Sequence, residues 1–231
     1  MVDLKTNSID SLGLTLRLSR YARRLVEAEP VLADELKAQL HTPFSLADMQ
    51  SYLQAQDLSD ENSLHAGLRN LRKRVMLRLI TRDLNGLADV DEVMHTATYL
   101  AEATLNVALE NSHRRLQQEY GAARDAEGKE QSLLIVGMGK LGGEELNVSS
   151  DIDLVFVYAE DGMTNGPRSI ENHQYFTLLG KQVIRALHEI TADGFVFRVD
   201  MRLRPYGDSG ALVSSFDMLE EYFFSQARPW E

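Results

Sequence analysis

GMGKLGGEELNVSSDIDLVFVY, residues 137–158, is the stretch whose reading decides the fold. The SLLIV run just before it, residues 132–136, reads as a buried strand, and IDLVFVY, residues 152–158, as a second strand. Between them stand Gly137, Gly139, Gly142 and Gly143, residues that permit tight turns and let backbone N–H groups come close to an anion. Lys140 adds a cationic point charge inside that loop. The spacing is not a dinucleotide-binding fingerprint, because no ribose-binding acid follows about 20 residues on. A P-loop is excluded as well, since Lys140 precedes the last two glycines and no Lys-Ser/Thr pair closes the motif. Asp151 and Asp153 open the second strand. Alternate strand residues share a face, so both carboxylates point to one side while Ile152 and Leu154 enter the core. Neighbouring carboxylates repel, which raises one pKa unless a cation sits between them. Hard oxygen ligands of this kind suit Mg²⁺, which keeps one or two carboxylates together with substrate phosphates.

Further on, FRVDMRLRP, residues 197–205, continues the theme. Phe195–Leu203 alternates like a strand, which puts Arg198, Asp200, Arg202 and Arg204 on one face and Val199, Met201 and Leu203 on the other. Asp200 is a candidate third metal ligand, and the arginines are candidates to clamp phosphate oxygens. The structural alternatives are a solvated strand end for the acids and an ion-paired outer face for the arginines. Taken together, three carboxylates from two strands, a glycine loop and flanking arginines describe a metal-assisted phosphoryl or nucleotidyl transfer site.

Before this region the chain reads as helical. Leu18, Tyr21, Ala22, Leu25 and Val26 recur at helical spacing until Pro30, and Val31, Leu32, Leu36 and Leu40 form a second run. Ser45 with Asp48 three residues on resembles an N-cap. Leu64, Leu68, Leu71, Val75 and Leu79 mark an amphipathic helix. The same helix carries Arg69, Arg72, Lys73, Arg74, Arg78 and Arg82 without one acid between Leu64 and Arg82. Either this basic stripe pairs with acids elsewhere in the chain or it docks an acidic partner, with Arg74 pointing to solvent. Asp91 opens a long helix with Val93, Ala97, Leu100, Thr104 and Val107 inward, closing near Gly121. Beyond the acidic strand, Asp161–Arg168 is a loop by composition, Glu171–Thr191 a helix, and Ser214–Arg228 a final helix. The expectation is an α+β chain: a helical N-terminal region over 1–90, then a small mixed or antiparallel sheet flanked by helices over 91–231.

Composition bounds the rest. Among 231 residues there is no cysteine, which excludes disulfides and thiolate chemistry. Lys and Arg number 24 against 35 Asp and Glu, a net charge of −11, which argues against nucleic acid and anionic membrane as partners. No apolar run approaches the roughly 18 residues of a membrane span, and MVDLKTNSID is not a signal sequence. A cytoplasmic location is expected. The six histidines show no metal-ligand spacing.

The loop and the acids resemble the polymerase β-like nucleotidyltransferase superfamily. More narrowly, GMGKLGGEELNVSSDIDL with FRVDMRLRPYGDSGALV is similar to the bifunctional glutamine synthetase adenylyltransferase/adenylyl-removing enzymes, over roughly residues 130–231. The resemblance implies two catalytic units in one long chain, one removing AMP from a tyrosine of glutamine synthetase by phosphorolysis to ADP, the other adding AMP from ATP. ELNVSSDIDL and RVDMRLRPYGDSG are worded like the first, and the stop at Arg228-Pro-Trp-Glu231 leads to the expectation of an N-terminal deadenylylase piece. The implied assignments are Asp151, Asp153 and Asp200 as catalytic ligands of Mg²⁺ or Mn²⁺. Gly139, Lys140, Gly142, Gly143, Ser150, Arg202 and Arg204 would bind nucleotide or phosphate. The implied partners are adenylylated glutamine synthetase, the PII regulatory protein, adenine nucleotides and orthophosphate. Adenylylation from ATP, or a binding module without turnover, are the alternatives.

Overall fold

The computed structural model describes residues 7–226, and side chains from residue 11 onward. The chain divides into two compact units, one of residues 1–104, 144–150 and 192–196, the other of residues 105–143, 151–191 and 197–231. The architecture is mixed α+β, as expected.

The first unit is helical. Helices α1 (Asn7–Leu18), α2 (Arg20–Ala28), α3 (Val31–Gln39) and α4 (Leu46–Gln54) surround α5 (Glu61–Leu84). The first run read from sequence is two helices: Ser19 breaks it, accepting the Ala22 N–H on its side chain as an N-cap. That break re-phases the helix, so Ala22 and Leu25 are buried with Leu32, Leu36 and Leu40 while Leu18 and Val31 stay exposed. Ser45 and Asp48 form a full capping box at the start of α4. Asp60 does the same with Ser63 for α5. The stripe Leu64, Leu68, Leu71, Val75 and Leu79 is buried as read.

The basic stripe on the same helix turns inward. Lys73 Nζ lies 2.5 Å from Glu29 and 2.6 Å from Asp193. Arg69 Nε donates to the Gly194 carbonyl at 2.8 Å, and Arg82 Nε to Glu92 at 2.6 Å. Arg72 stacks on Phe195, 4.9 Å from its ring centroid. Arg74 does not point to solvent: it pairs with Glu35 at 2.9 Å over the Tyr52 ring. Pairing with acids elsewhere in the chain thus accounts for Lys73, Arg74 and Arg82, and residues 192–196 are fastened to α5 by Arg69, Arg72 and Lys73.

The long helix α6 (Val90–Tyr120) closes at Gly121, whose φ of +78° lets its N–H reach the Gln117 carbonyl. In the second unit follow β1 (Ala123–Arg124), β2 (Leu134–Met138), α7 (Gly139–Gly142), β3 (Ile152–Tyr158), β4 (Met163–Thr164), α8 (Asn172–His188), β5 (Val199–Asp200), β6 (Val213–Ser215) and α9 (Phe216–Ser225). Strand β3 is central: β2 runs antiparallel on one side, and β5 and β6 run parallel on the other, at the start and end of β3. Helix α8 covers the sheet with Phe176, Leu179, Val183 and Leu187. Gly180 allows the approach, since a Cβ there would lie 2.8 Å from the Phe156 ring.

Three sequence expectations are corrected here. Strand β2 is not buried; it is an edge, and Leu134 and Val136 are 48% and 42% exposed. Residues 161–168 are not wholly loop, because Met163 and Thr164 pair with Arg124 and Ala123 as β4. The strand expected over Phe195–Leu203 is only Val199–Asp200. It stops because the Asp200 side chain accepts the Arg202 N–H at 2.8 Å, an Asx-type turn, and Pro205 follows shortly. The final helix begins after a short strand, with Ser215 accepting the Met218 N–H as cap; its expected end at residues 227–228 lies outside the described residues.

Candidate active site

The acids converge through sheet register. Asp153 on β3 is the pairing partner of Asp200 on β5 and of Met138 at the end of β2. Parallel register partners point to the same face, so the two carboxylates stand side by side while Ile152 and Val199 face the other way. Asp151, two residues before Asp153, joins them on that face.

The glycine loop meets Asp153 directly. Gly139 begins α7 at φ +53°, and a Cβ on it would lie 2.6 Å from Asp153 Oδ2. Gly142 is held equally close, since its Cβ would meet the Gly137 carbonyl oxygen at 2.6 Å. Leu141 buries its side chain beneath the turn, while Lys140 and Gly143 stay exposed. These close approaches require glycine at 139 and 142.

Each carboxylate has a different electrostatic setting. Burial raises the Asp153 pKa above the ordinary carboxylate range, and the charges of Asp200 and Asp151 raise it further, against Arg202 and Lys140. Asp200 is held below that range, first by the Arg202 side-chain bond and then by the Arg202 backbone N–H. Arg202 Nε reaches Asp200 Oδ2 at 2.8 Å and Oδ1 at 3.0 Å. The Asp151 carboxylate accepts from Arg198 Nε.

Arg204 departs from the expected common face. It turns back to donate to the Met201 carbonyl at 2.6 Å, with Asp208 3.7 Å away. Ser150 belongs to the loop of residues 144–150, where its Oγ accepts the Asn147 N–H at 3.1 Å. Ser149 in turn donates to Asn147 Oδ1 at 3.0 Å from its N–H. The site therefore gathers Asp151, Asp153, Asp200, Arg202, Gly139 and Lys140, adds Arg198, and leaves Arg204 and Ser150 in local turns. A further residue was missed: His188 Nδ1 accepts the Val199 N–H at 3.0 Å, which fixes the start of β5. No spacing pattern signals that contact, because the two residues lie on different elements.

Among the described residues no three His, Asp or Glu side chains are arranged to hold a metal ion as they stand. Oxygens of Asp151 and Asp200 are engaged by Arg198 and Arg202. The donor set itself fits a hard divalent cation, being all carboxylate and mutually repulsive around Asp153. Such an ion would replace the guanidinium groups as counter-charge to two of the acids.

A family profile described as glutamate-ammonia ligase adenylyltransferase matches residues 9–231. The chain is similar to a bifunctional glutamine synthetase adenylyltransferase/adenylyl-removing enzyme of Nitrosomonas eutropha, 53% identical over 94% of this chain and 24% of that protein. It is likewise similar to one of Chromobacterium violaceum, 49% identical over 99% of this chain and 26% of the other. One of Aromatoleum aromaticum is 53% identical over 93% of this chain and 23% of its own length. The chain thus spans about a quarter of the length of the curated relatives it matches.

Proposed function

Because the chain belongs to the glutamate-ammonia ligase adenylyltransferase family, we propose that its acidic site removes AMP from the adenylylated tyrosine of glutamine synthetase by phosphorolysis, releasing ADP. The observation that carries this reading is the register pairing of Asp153 with Asp200 against Gly139, with a guanidinium on each outer carboxylate. Asp151, Asp153 and Asp200 would hold Mg²⁺ or Mn²⁺, which supplies charge neutralisation for the adenylyl phosphate in the transition state.

The remaining roles belong to this chain's own groups. Once Asp151 and Asp200 are otherwise engaged, Arg198 and Arg202 are released to receive phosphate oxygens in the bidentate manner guanidinium favours. Two arginines beside the acids favour an anionic nucleophile, and orthophosphate is one. It is already anionic at neutral pH, so attack on the adenylyl phosphorus in line with the departing tyrosinate needs no strong general base. The P–O bond to the tyrosine oxygen breaks as the new P–O bond forms, and the proton of hydrogen phosphate passes to the departing oxygen, giving ADP and the unmodified tyrosine of the synthetase. Gly139 and Gly142 let backbone N–H groups approach the phosphate, and Lys140 contributes charge at its edge.

The test uses the polypeptide at the full length of its relatives with adenylylated glutamine synthetase, orthophosphate and Mg²⁺. ADP released in proportion to phosphate, without ATP, and lost in Asp153→Asn, is the expected result. Labelled AMP passing from ATP to unmodified synthetase through this site, with no ADP from the adenylylated form, would establish transfer in its place. Binding of synthetase without either reaction would leave a binding module.

A further inference from the structure

The first unit contains a cleft of about 890 Å³ lined from α3, α4 and α5 and the segment joining α3 to α4. Two arginines one turn apart on α5 line it, each lying over an aromatic ring. The Arg74 guanidinium carbon is 5.3 Å from the Tyr52 ring centroid, and that of Arg78 is 4.2 Å from the Phe44 centroid. Their charge balance differs sharply. Arg74 is neutralised by Glu35, at 2.9 Å and 3.1 Å through two nitrogens. Arg78 donates only to the neutral amide oxygen of Gln39, and among the described residues no carboxylate lies within 4.0 Å of it.

The other charges around the cleft are already committed. Asp48 lines it, yet one of its oxygens accepts both the N–H and the hydroxyl of Ser45, at 3.1 Å and 2.7 Å, at the positive end of α4. Arg82, one turn beyond Arg78, is paired with Glu92 at 2.6 Å. Arg78 is therefore the cation of the cleft without a contact ion pair, with Asp48 and Glu35 acting on it only from a distance, and it is only 8% exposed. A guanidinium carries five N–H donors in a planar fork matched to carboxylate and phosphate. Here that fork is pre-oriented by Phe44 on the wall of an open cleft, with apolar Leu32, Leu36 and Leu77 beside it. Burial of the charge pushes its pKa down, and the neighbouring Arg82 adds to that, against the charges of Asp48 and Glu35.

We propose that this cleft is a binding site for a small oxyanion, a carboxylate or a phosphate, received by Arg78. It is separate from the acidic site, and all its lining residues belong to the first unit.

The test titrates this chain with inorganic phosphate and, separately, with benzoate, following the side-chain Nε–H resonance of Arg78 by NMR. A local resonance distinguishes this cleft from any phosphate bound beside Asp153. A saturable shift of the Arg78 signal with either probe is expected, and which probe shifts it identifies phosphate or carboxylate as the source. Calorimetry on Arg78→Gln should show affinity lowered about tenfold or more, with Arg78→Lys between the two. An Arg78 resonance unmoved by both probes would overturn the proposal, as would equal affinity in a folded Arg78→Gln. Should that variant not fold, the titration of the parent chain still decides.

Discussion

Asp153 shows how one residue can be legible in sequence while its neighbours are not. Its face was readable because successive strand residues alternate sides and the I-D-L start of β3 alternates apolar and acidic, with Leu154 on the opposite face fully buried. Two substitutions one position apart should therefore separate chemistry from folding. Asp153→Asn removes a charge and no core contact, so the fold should stay intact while ADP release is lost. Leu154→Ala should cost roughly 2–5 kcal/mol in denaturant unfolding, because it opens a cavity under the sheet. What the sequence could not show is which nitrogen each carboxylate meets, since Arg198 and Arg202 reach their acids through side-chain rotamers and a turn. A half-buried histidine in the same unit makes a pH prediction. His113 stands edge-on to Tyr175, 6.1 Å between centroids, and its Nε2 has no partner. Burial lowers its pKa below 6.5, against a weaker pull from Glu130. The unfolded chain then binds the proton first, so His113 costs nothing above about pH 6.5 and lowers stability as pH falls below that value. The melting temperature of His113→Gln should fall less between pH 7 and pH 5 than that of the parent; parallel curves would exclude the effect.

At the scale of elements, the glycine turn and α5 each carry a prediction. Gly142→Ala places a Cβ against the Gly137 carbonyl, a backbone atom that cannot swing aside. The turn must shift, at a cost of roughly 1–3 kcal/mol, and Gly139 should lose its seat against Asp153, so activity should fall even where the variant folds. On α5, Lys73→Ala leaves Glu29 and Asp193 partly exposed, so water takes over much of their solvation and the loss should be about 1 kcal/mol. Amide exchange should rise chiefly in residues 192–196, the segment Lys73 and Arg69 hold. Uniform exchange along the chain would contradict that fastening. The helices were legible where cap and apolar period agreed, as at Ser45, whereas the Asp60 cap of α5 went unread. The strands were less so, for physical reasons. SLLIV is apolar enough to read as buried, but the strand lies two residues later, over LIVGM, and hydrophobicity does not disclose that among the described residues only β3 pairs with it. The alternation of Phe195–Leu203 is broken by an Asp side chain that bonds the backbone two residues on, a local competition that periodicity cannot register. The pairing of Lys73, Arg74 and Arg82 was hidden from the sequence because their counter-charges, Glu29, Glu35, Glu92 and Asp193, come from four other places in the chain.

At the scale of the whole molecule, two opposing surface forces decide how copies of this chain behave in solution. The net charge of −11 repels one copy from another. Against it stands α9, a helix with no buried residue, which leaves Phe216, Met218, Phe223 and Phe224 exposed, the last at 84%. Exposed apolar side chains in this number on one ten-residue helix favour association once repulsion is removed. The repulsion is long-ranged and screened, with a Debye length of about 30 Å at 0.01 M salt and about 8 Å at 0.15 M, whereas apolar contact acts only at touching distance. Added salt should therefore raise self-association of this chain, the reverse of what an ion-paired interface would do. Sedimentation velocity across that salt range should show the average mass rising with salt for the parent. Phe223→Ser with Phe224→Ser should suppress the rise and cost about 1 kcal/mol or less in unfolding free energy, because Phe224 is largely exposed and Phe223 is half exposed beside Tyr222. A mass that falls with salt would mean that charge, not the α9 patch, brings the copies together.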